Sequence, residues 1–265
     1  VTSEATPASL LIDTHCHLDD PSFSDDLDDV LSSSRDAGVV AWIMVGFSPT
    51  HWNAAVRMSS EIPGMAHILG VHPGHAGEWN DDVRRRLADA LVVSKARGLG
   101  EIGLDFYRDN APLEIQERAL VEQLDLAREL DLPVVFHMRD AEPQMLDILE
   151  RQQVLPRMVF HSFDGTARLT RFILEYDAYV GVGGLATRMK SETLREQLRD
   201  IPLSRMVLET DSPYLVPARQ KDRRNTPANV PIIAQFLAGF LDCPVEEVAR
   251  QTTSTAESIF GSLLP

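Results

Sequence analysis

Cysteine is nearly absent from this chain, which carries only Cys16 and Cys243 among 265 residues. One stands between two histidines and the other in Asp242-Cys243-Pro244, so no disulfide framework is indicated and a reducing cytoplasm is the expected compartment. Also missing is any apolar run near the roughly 18 residues that a membrane span needs. Positive charge is scarce: 25 Lys and Arg against 40 Asp and Glu leave a net charge of −15. That excludes holding nucleic acid through a globally basic surface, but not through a basic rim around one site. Aromatic residues amount to 6%, too few for an aromatic-rich platform on which single strands would stack. Residues 1–9, VTSEATPAS, lack the basic start and apolar core of a secretory signal and read as a loose tail.

What is present reads as one globular domain over residues 10–265, with 44% hydrophobic and 25% charged residues and a length that α/β barrels commonly reach. Short runs rich in Val, Ile, Leu and Met recur at 10–13, 39–45, 66–71, 99–102, 133–137, 158–161, 179–182 and 206–211. Such continuous apolar runs are what a parallel sheet buried on both faces requires. Helical patterns lie between them. At 24–37 and 82–97 they end before Gly38 and Gly98, where left-handed caps are expected. Over 113–130 the residues Leu120, Leu124, Ala127 and Leu130 form one stripe. Val230, Ile233, Ala234, Leu237 and Leu241 mark another apolar face, with 245–260 packed beside it. Eight strand–helix units predict a (β/α)8 TIM barrel; a distorted or open barrel is the alternative.

Polar residues fall on this frame in a pattern. His15 and His17 in LIDTHCHLDD stand two apart, so a strand points both the same way and Cys16 the other. Glu101 lies in the fourth run, His137 ends the fifth, His161 the sixth and Asp211 the eighth. All six lie toward the carboxyl ends of strands, where barrel enzymes build their sites. Four imidazoles and two carboxylates exceed what one catalytic zinc takes, so two divalent ions are expected, Mg²⁺, Mn²⁺ or Zn²⁺. Glu101 is the expected bridge, with His15, His17 and Asp211 on one ion and His137 and His161 on the other. Water between them would become a hydroxide nucleophile, oriented or deprotonated by Asp211.

Other residues take supporting parts. Alternation makes Glu209 face the same way as Asp211 but deeper, as a partner that orients a ligating histidine. His72 either donates to a substrate phosphate or fixes the turn before Pro73. Asp105 and Tyr107 support or line the site, or are simply hydrogen-bonded loop residues.

The segments LIDTHCHLDD from Leu11, GVHPGH from Gly70, GEIGLDFYRD from Gly100, LPVVFHMRDA from Leu132, VFHSFDG from Val159 and LETDSPYL from Leu208 closely resemble the TatD-type deoxyribonucleases, in family order and over nearly the whole chain. The resemblance implies a metal-dependent barrel hydrolase of the amidohydrolase superfamily that cleaves phosphodiesters, often as a 3′→5′ exonuclease on DNA, with the same six ligands. Two departures stand out. Asp164 occupies a position that is Ser in many relatives, placing an acid beside the expected second ion, and Thr226 replaces the usual Glu of a basic loop over 219–227.

Substrate contacts are expected from Arg139, Arg188, Lys190, Arg219, Lys221, Arg223 and Arg224, a locally positive rim on an acidic protein. Phe106, Tyr107 and Tyr214 are placed to stack on a terminal base. Single-stranded DNA or 3′ ends are the expected partner of a monomer, with no membrane and no protein partner. Two competing readings are a hydrolase of another ester, such as a D-aminoacyl-tRNA deacylase, and a metal-binding protein without turnover.

Overall fold

The computed structural model of the chain describes residues 10–108 and 111–264, so the tail expected over 1–9 lies outside the described residues. Eight parallel strands follow one another around a single sheet: β1 (Leu11–Cys16), β2 (Val39–Gly46), β3 (Met65–Leu69), β4 (Leu99–Asp105), β5 (Val134–Arg139), β6 (Met158–Phe160), β7 (Tyr179–Val182) and β8 (Met206–Leu208), each paired with its neighbour in sequence. Helices α1 (Leu27–Asp36), α2 (Trp52–Glu61), α3 (Asp81–Val93), α4 (Leu113–Glu129), α5 (Glu142–Glu150), α6 (Ala167–Glu175), α7 (Glu192–Asp200) and α8 (Val230–Leu241) alternate with the strands, and α9 (Val245–Phe260) ends the series. This is a (β/α)8 barrel. Among the described residues no single helix is long and apolar enough to cross a bilayer.

The apolar runs are continuous because each strand buries both faces. Trp42, Met44, Leu69, Leu99 and Phe136 look outward into the layer shared with the helices. Ile43, Val45, Ile68, Val135, Val159 and Val207 look inward and fill the barrel. α9 packs on β1 and β8, and its Ile259 and Phe260 belong to that inner cluster. Polar groups at the carboxyl end of the barrel therefore stand on an apolar floor.

Closure between the first strand and the segment after the last is made by one parallel bridge, Cys16 with Ser212, reinforced by polar side chains. β8 stops at Leu208, and the next residues carry the seam: Asp211 N–H donates to His15 O at 2.9 Å and His17 N–H to Ser212 O at 2.8 Å. Asp13, fully buried, accepts from Thr210 N–H at 2.9 Å and from the Thr210 hydroxyl at 2.5 Å. Asn225, also fully buried, donates to Thr210 O at 2.8 Å. The same loop is thus pinned from both sides.

The sequence boundaries move where turns intervene. The sixth and eighth runs end early because the chain leaves the sheet: Ser162 and Asp211 adopt left-handed φ values of 54° and 58°. α3 ends at Val93, four residues before the expected stop, and Lys95 takes the left-handed position with φ 57°. Gly98 is not that cap; it faces Pro133 O, 3.0 Å from where a Cβ would stand. Gly38, with φ 89°, does end α1 as the pattern predicts. α1 starts at Leu27 because Pro21–Phe23 forms a separate 3₁₀ turn capped by Asp20.

On the opposite, amino-terminal side of β3, the buried His67 ring lies between Ser59 and Ser94, with Nδ1 and Nε2 at 2.7 and 2.8 Å from their hydroxyls. Burial, and then the Arg97 charge, push its pKa down to about 4. The unfolded chain takes up that proton near pH 6.5, so the residue's contribution to stability is intact above pH 6.5 and is lost as the pH falls toward 4. Urea unfolding at pH 7 and pH 4.5 should show up to about 3 kcal/mol of pH-dependent stability that disappears in His67→Gln.

Candidate metal centre

At the carboxyl end of the barrel the interior changes from apolar to ionisable within one layer. Glu101, 4% exposed, is its hub. Its Oε1 lies 2.7 Å from His137 Nδ1 and 2.9 Å from His161 Nε2, and its Oε2 lies 3.5 Å from His15 Nε2. His15 Nε2 is also 3.8 Å from Asp211 Oδ1, which stands 3.2 Å from His17 Nε2. The rings of His15 and His161 stack at 4.0 Å. All six residues singled out at strand ends therefore meet in one connected cluster.

Three groupings of these side chains bring ligand atoms close enough for one ion: His15, His17 and Asp211; His15, Glu101 and His161; and His72, Asp105 and His137. Both ring nitrogens of buried His15, and Nδ1 of His17 and of His161, have no hydrogen-bond partner among the described residues. Buried polar atoms are rarely left so, and lone pairs aimed past hydrogen-bond reach of two carboxylates are what a divalent cation completes. The donor set fits a metal.

The third grouping behaves differently. His72 Nδ1 accepts a hydrogen bond from Gly74 N–H at 2.9 Å, so in a neutral ring the proton sits on Nε2. Burial, then His137, push its pKa down to about 3, keeping the ring neutral. Nε2–H, 3.9 Å from Glu101 Oε1, is consequently a donor and not a ligand. The ring thus fixes its turn through Nδ1, the second of the two sequence readings, while Nε2–H faces the cluster.

Electrostatics knit the cluster together. Burial would raise Glu101, but His161, His137 and His15 hold it well below the usual carboxylate range. His161 is lifted well above the ordinary imidazole value against its burial by Glu101 and Glu209, and His137 is lifted by Asp105 and Glu101. His15, with burial and His161 both acting downward, is lowered. Burial opposes ionisation of Asp211 as well, yet His17 and His161 bring it below its ordinary value.

Around the six stand the residues that aim them. Asp105 Oδ2 meets His137 Nε2 at 3.0 Å, while its Oδ1 accepts the backbone N–H groups of Tyr107 and Arg108. Glu209 Oε1 lies 3.6 Å from His161 Nδ1 and accepts Ser162 N–H. Its direction continues the alternation of β8, since Val207 two residues earlier also looks inward and the Glu209 N–H still donates to Val182 O at 3.2 Å; parity breaks only at Asp211, whose φ is 58°. Gly181 makes the room: a Cβ on it would fall 2.0 Å from Glu209 Oε2. Asp13 and Asn225 escaped sequence reasoning; the DTH tripeptide that opens the histidine motif was the available signal for Asp13.

The expected substrate residues separate into two kinds. Tyr107, 64% exposed, is covered by the Arg139 guanidinium at 3.7 Å, and Tyr214 sits beside His17 with rings 6.1 Å apart. Arg223 makes no ion pair among the described residues, whereas Arg224 is taken up by Asp26 in a two-pronged pair and lies over the Phe23 ring. Arg224 is therefore a structural clasp between the loops after β1 and β8, not a free phosphate contact. Asp164 belongs to none of the three groupings. Burial, Glu142 and Asp140 raise its pKa.

The family described as TatD related DNase has a model that matches residues 12–261. The chain belongs to that family. A TatD relative from Pantoea ananatis, named 3′-5′ ssDNA/RNA exonuclease TatD, is 34% identical over 95% of this chain and 99% of its own. Another from Bacillus subtilis, the uncharacterized metal-dependent hydrolase YabD, is 29% identical with the same coverage. The crystal structure of YjjV, a TatD homolog from Escherichia coli K12, superposes with a TM-score of 0.89 at 30% identity, covering 95% of this chain and 98% of that one. This TatD chain is a metal-dependent hydrolase.

Because Glu209 reaches His161 only through the space left by Gly181, Gly181→Ala should displace that carboxylate. Loss of such an orienting partner typically costs about 10–100-fold in metal affinity. Metal content after graded chelation should fall by that measure in Gly181→Ala and in Glu209→Ala alike, with the circular dichroism of the barrel retained.

Proposed function

We propose that this TatD chain is a 3′→5′ exonuclease that hydrolyses phosphodiester bonds at the end of single-stranded DNA, working as a monomer in a reducing cytoplasm. The observation that carries the reading is one buried carboxylate, Glu101, shared by His15, His137 and His161, with Asp211 beside them. The printed activity of the Pantoea ananatis relative supports the substrate class.

In this reading His15, His17, Asp211 and Glu101 would hold one divalent ion and Glu101, His137 and His161 a second; Mg²⁺, Mn²⁺ and Zn²⁺ would all suit these mixed nitrogen and oxygen ligands. Bound there, the ions supply Lewis acidity to the phosphoryl group and make water acidic enough to attack near neutral pH.

The chain's own residues do the rest. Asp211 has the most open side chain of the site's carboxylates, at 14% exposure against 5% for Glu101, 2% for Asp105 and 1% for Glu209. It accepts a hydrogen bond from the attacking water, takes its proton as the new P–O bond forms and the P–O3′ bond to the preceding nucleotide breaks, and returns that proton to the departing 3′ oxygen. His72 donates Nε2–H to a phosphoryl oxygen, where negative charge grows in the transition state. Asp105 and Glu209 hold the His137 and His161 rings in register. At the mouth Tyr107, backed by Arg139, stacks on the terminal base, and Arg223 attracts the phosphates that precede it.

The test is nucleotide release from labelled single-stranded DNA by metal-stripped protein, with Mg²⁺, Mn²⁺ or Zn²⁺ restored separately. Restored digestion should be lost by about a thousandfold or more in Glu101→Ala. Absence of digestion with every ion, from protein that binds metal, would refute the reading. Arg223→Ala should weaken DNA binding with a shallower salt dependence, by about one counterion. Arg224→Ala should leave that slope unchanged and lower stability instead.

A further inference from the structure

At the amino-terminal end of the barrel, opposite the metal centre, a cavity of about 290 Å³ opens between the ends of α2 and α3 and the segment that follows α9. His67, Ser59, Ser94, Lys95, Arg97 and Ser262 supply its polar lining. We propose that this cavity is a second binding site, which takes a small phosphate dianion through Arg97, Lys95 and the His67 imidazole.

Charge is the first argument. The ion pairs that arginines make among the described residues involve Arg84, Arg85, Arg86, Arg128, Arg168, Arg205, Arg224 and Arg250. Neither Arg97 nor Lys95 takes part in one among the described residues. In a chain of net charge −15, two neighbouring cations without a carboxylate partner among the described residues make this cavity wall locally positive. Arg97 is held in place by one hydrogen bond, Nη2–H to Ser262 O at 3.2 Å. That leaves the rest of its fork of five donors for a ligand. Lys95 reaches the wall because its left-handed backbone turns the chain sharply after α3.

Hydrogen bonding is the second argument. The Ser59 hydroxyl lies 2.9 Å from Val56 O and the Ser94 hydroxyl 2.6 Å from Ala90 O. With each hydroxyl proton given to a helix carbonyl, each serine oxygen presents a lone pair to an imidazole nitrogen, at 2.7 and 2.8 Å. A ring with N–H on both nitrogens lets both hydroxyls keep these bonds, whereas a neutral ring must turn one hydroxyl proton from its carbonyl toward the ring, as Ser94 can because Ala90 O keeps the Ser94 backbone N–H at 3.0 Å. The cradle therefore accommodates the imidazolium without breaking a bond, although burial and Arg97 oppose its charge. The charged groups on the cavity wall around His67 are Lys95 and Arg97, while α2 contributes the uncharged Ser59 and the segment after α9 the uncharged Ser262. A dianion set against both cations relieves that opposition, so anion and proton bind together. The guanidinium fork and the double charge favour phosphate over a lone carboxylate, and the cavity volume admits a phosphate or a small phosphate ester but not a nucleic-acid strand.

The test follows the His67 ring itself, by NMR of the full chain with labelled histidine rings and with His67→Gln to assign the signal. Added inorganic phosphate should move the His67 resonance saturably toward the imidazolium position, with affinity that rises as the pH falls from about 9 to about 7, where free phosphate is still largely the dianion, and levels off below as phosphate takes up its own proton. Lys95→Ala combined with Arg97→Ala, both exposed positions, should weaken that affinity at least about tenfold. Glu101→Ala should not change it. A parallel titration with glycerol phosphate separates the sources: tighter binding of the ester supports the site and names a phosphate ester as its occupant, and tighter binding of phosphate supports it and names the free ion. A His67 signal that stays still while other histidines shift, or one that moves equally in the double variant, would overturn the proposal and leave an adventitious ion only.

Discussion

A carboxylate buried at the top of an apolar barrel cannot stay ionised unless something pays for it, and in this protein four imidazoles surround Glu101. Its ionised state lifts His137 and His161, while Asp105 and Glu209 grip the far sides of those rings. The result is a chain of alternating bases and acids from the barrel wall to its centre. Below it, Ile43, Ile68, Val135, Val159 and Val207 keep the dielectric low, which strengthens every interaction in the chain above. The metal centre and the apolar core are thus one arrangement, in which neither layer is stable in its observed form without the other.

Much of this was legible in the sequence because it obeys local rules. Continuous apolar runs imply buried parallel strands, and a spacing of two puts His15 and His17 on one side. Histidines and acids at the ends of such runs must converge if the runs close into a barrel. What was not legible depends on partners distant in sequence. Asp13 reads as an ordinary polar residue until Thr210, 197 positions away, is found against it. Arg224 reads as a free charge until Asp26, 198 positions away, claims it. Gly98 reads as a helix cap because glycine usually serves there, but the helix had already stopped and Lys95 accepted the strained position. Glu209 follows strand parity from Val207, but the space its side chain needs comes from a glycine on the neighbouring strand, which parity does not reveal.

The mouth of the barrel follows another logic. Tyr107, Arg139, Tyr214 and Arg223 stand on or beside loops, and their contacts with the ligand cluster are few. Such positions change without disturbing the layer beneath, whereas Asp105 ties the two levels together by holding His137 through one oxygen and the start of the Tyr107 loop through the other. In an acidic protein this division leaves the cations of the mouth as a local positive patch on a surface that repels anions elsewhere.

The polar seam between β1 and the loop after β8 gives the fold a clasp whose two halves carry His17 and Asp211. A cation held between those residues would join the beginning of the barrel to its end. Occupancy of the site and the shut state of the cylinder would then be two readings of a single equilibrium. Stripping the ion would loosen the molecule first at the line where its first and last strands meet, and a destabilised seam would register as weakened grip on the ion long before the helices around it melt.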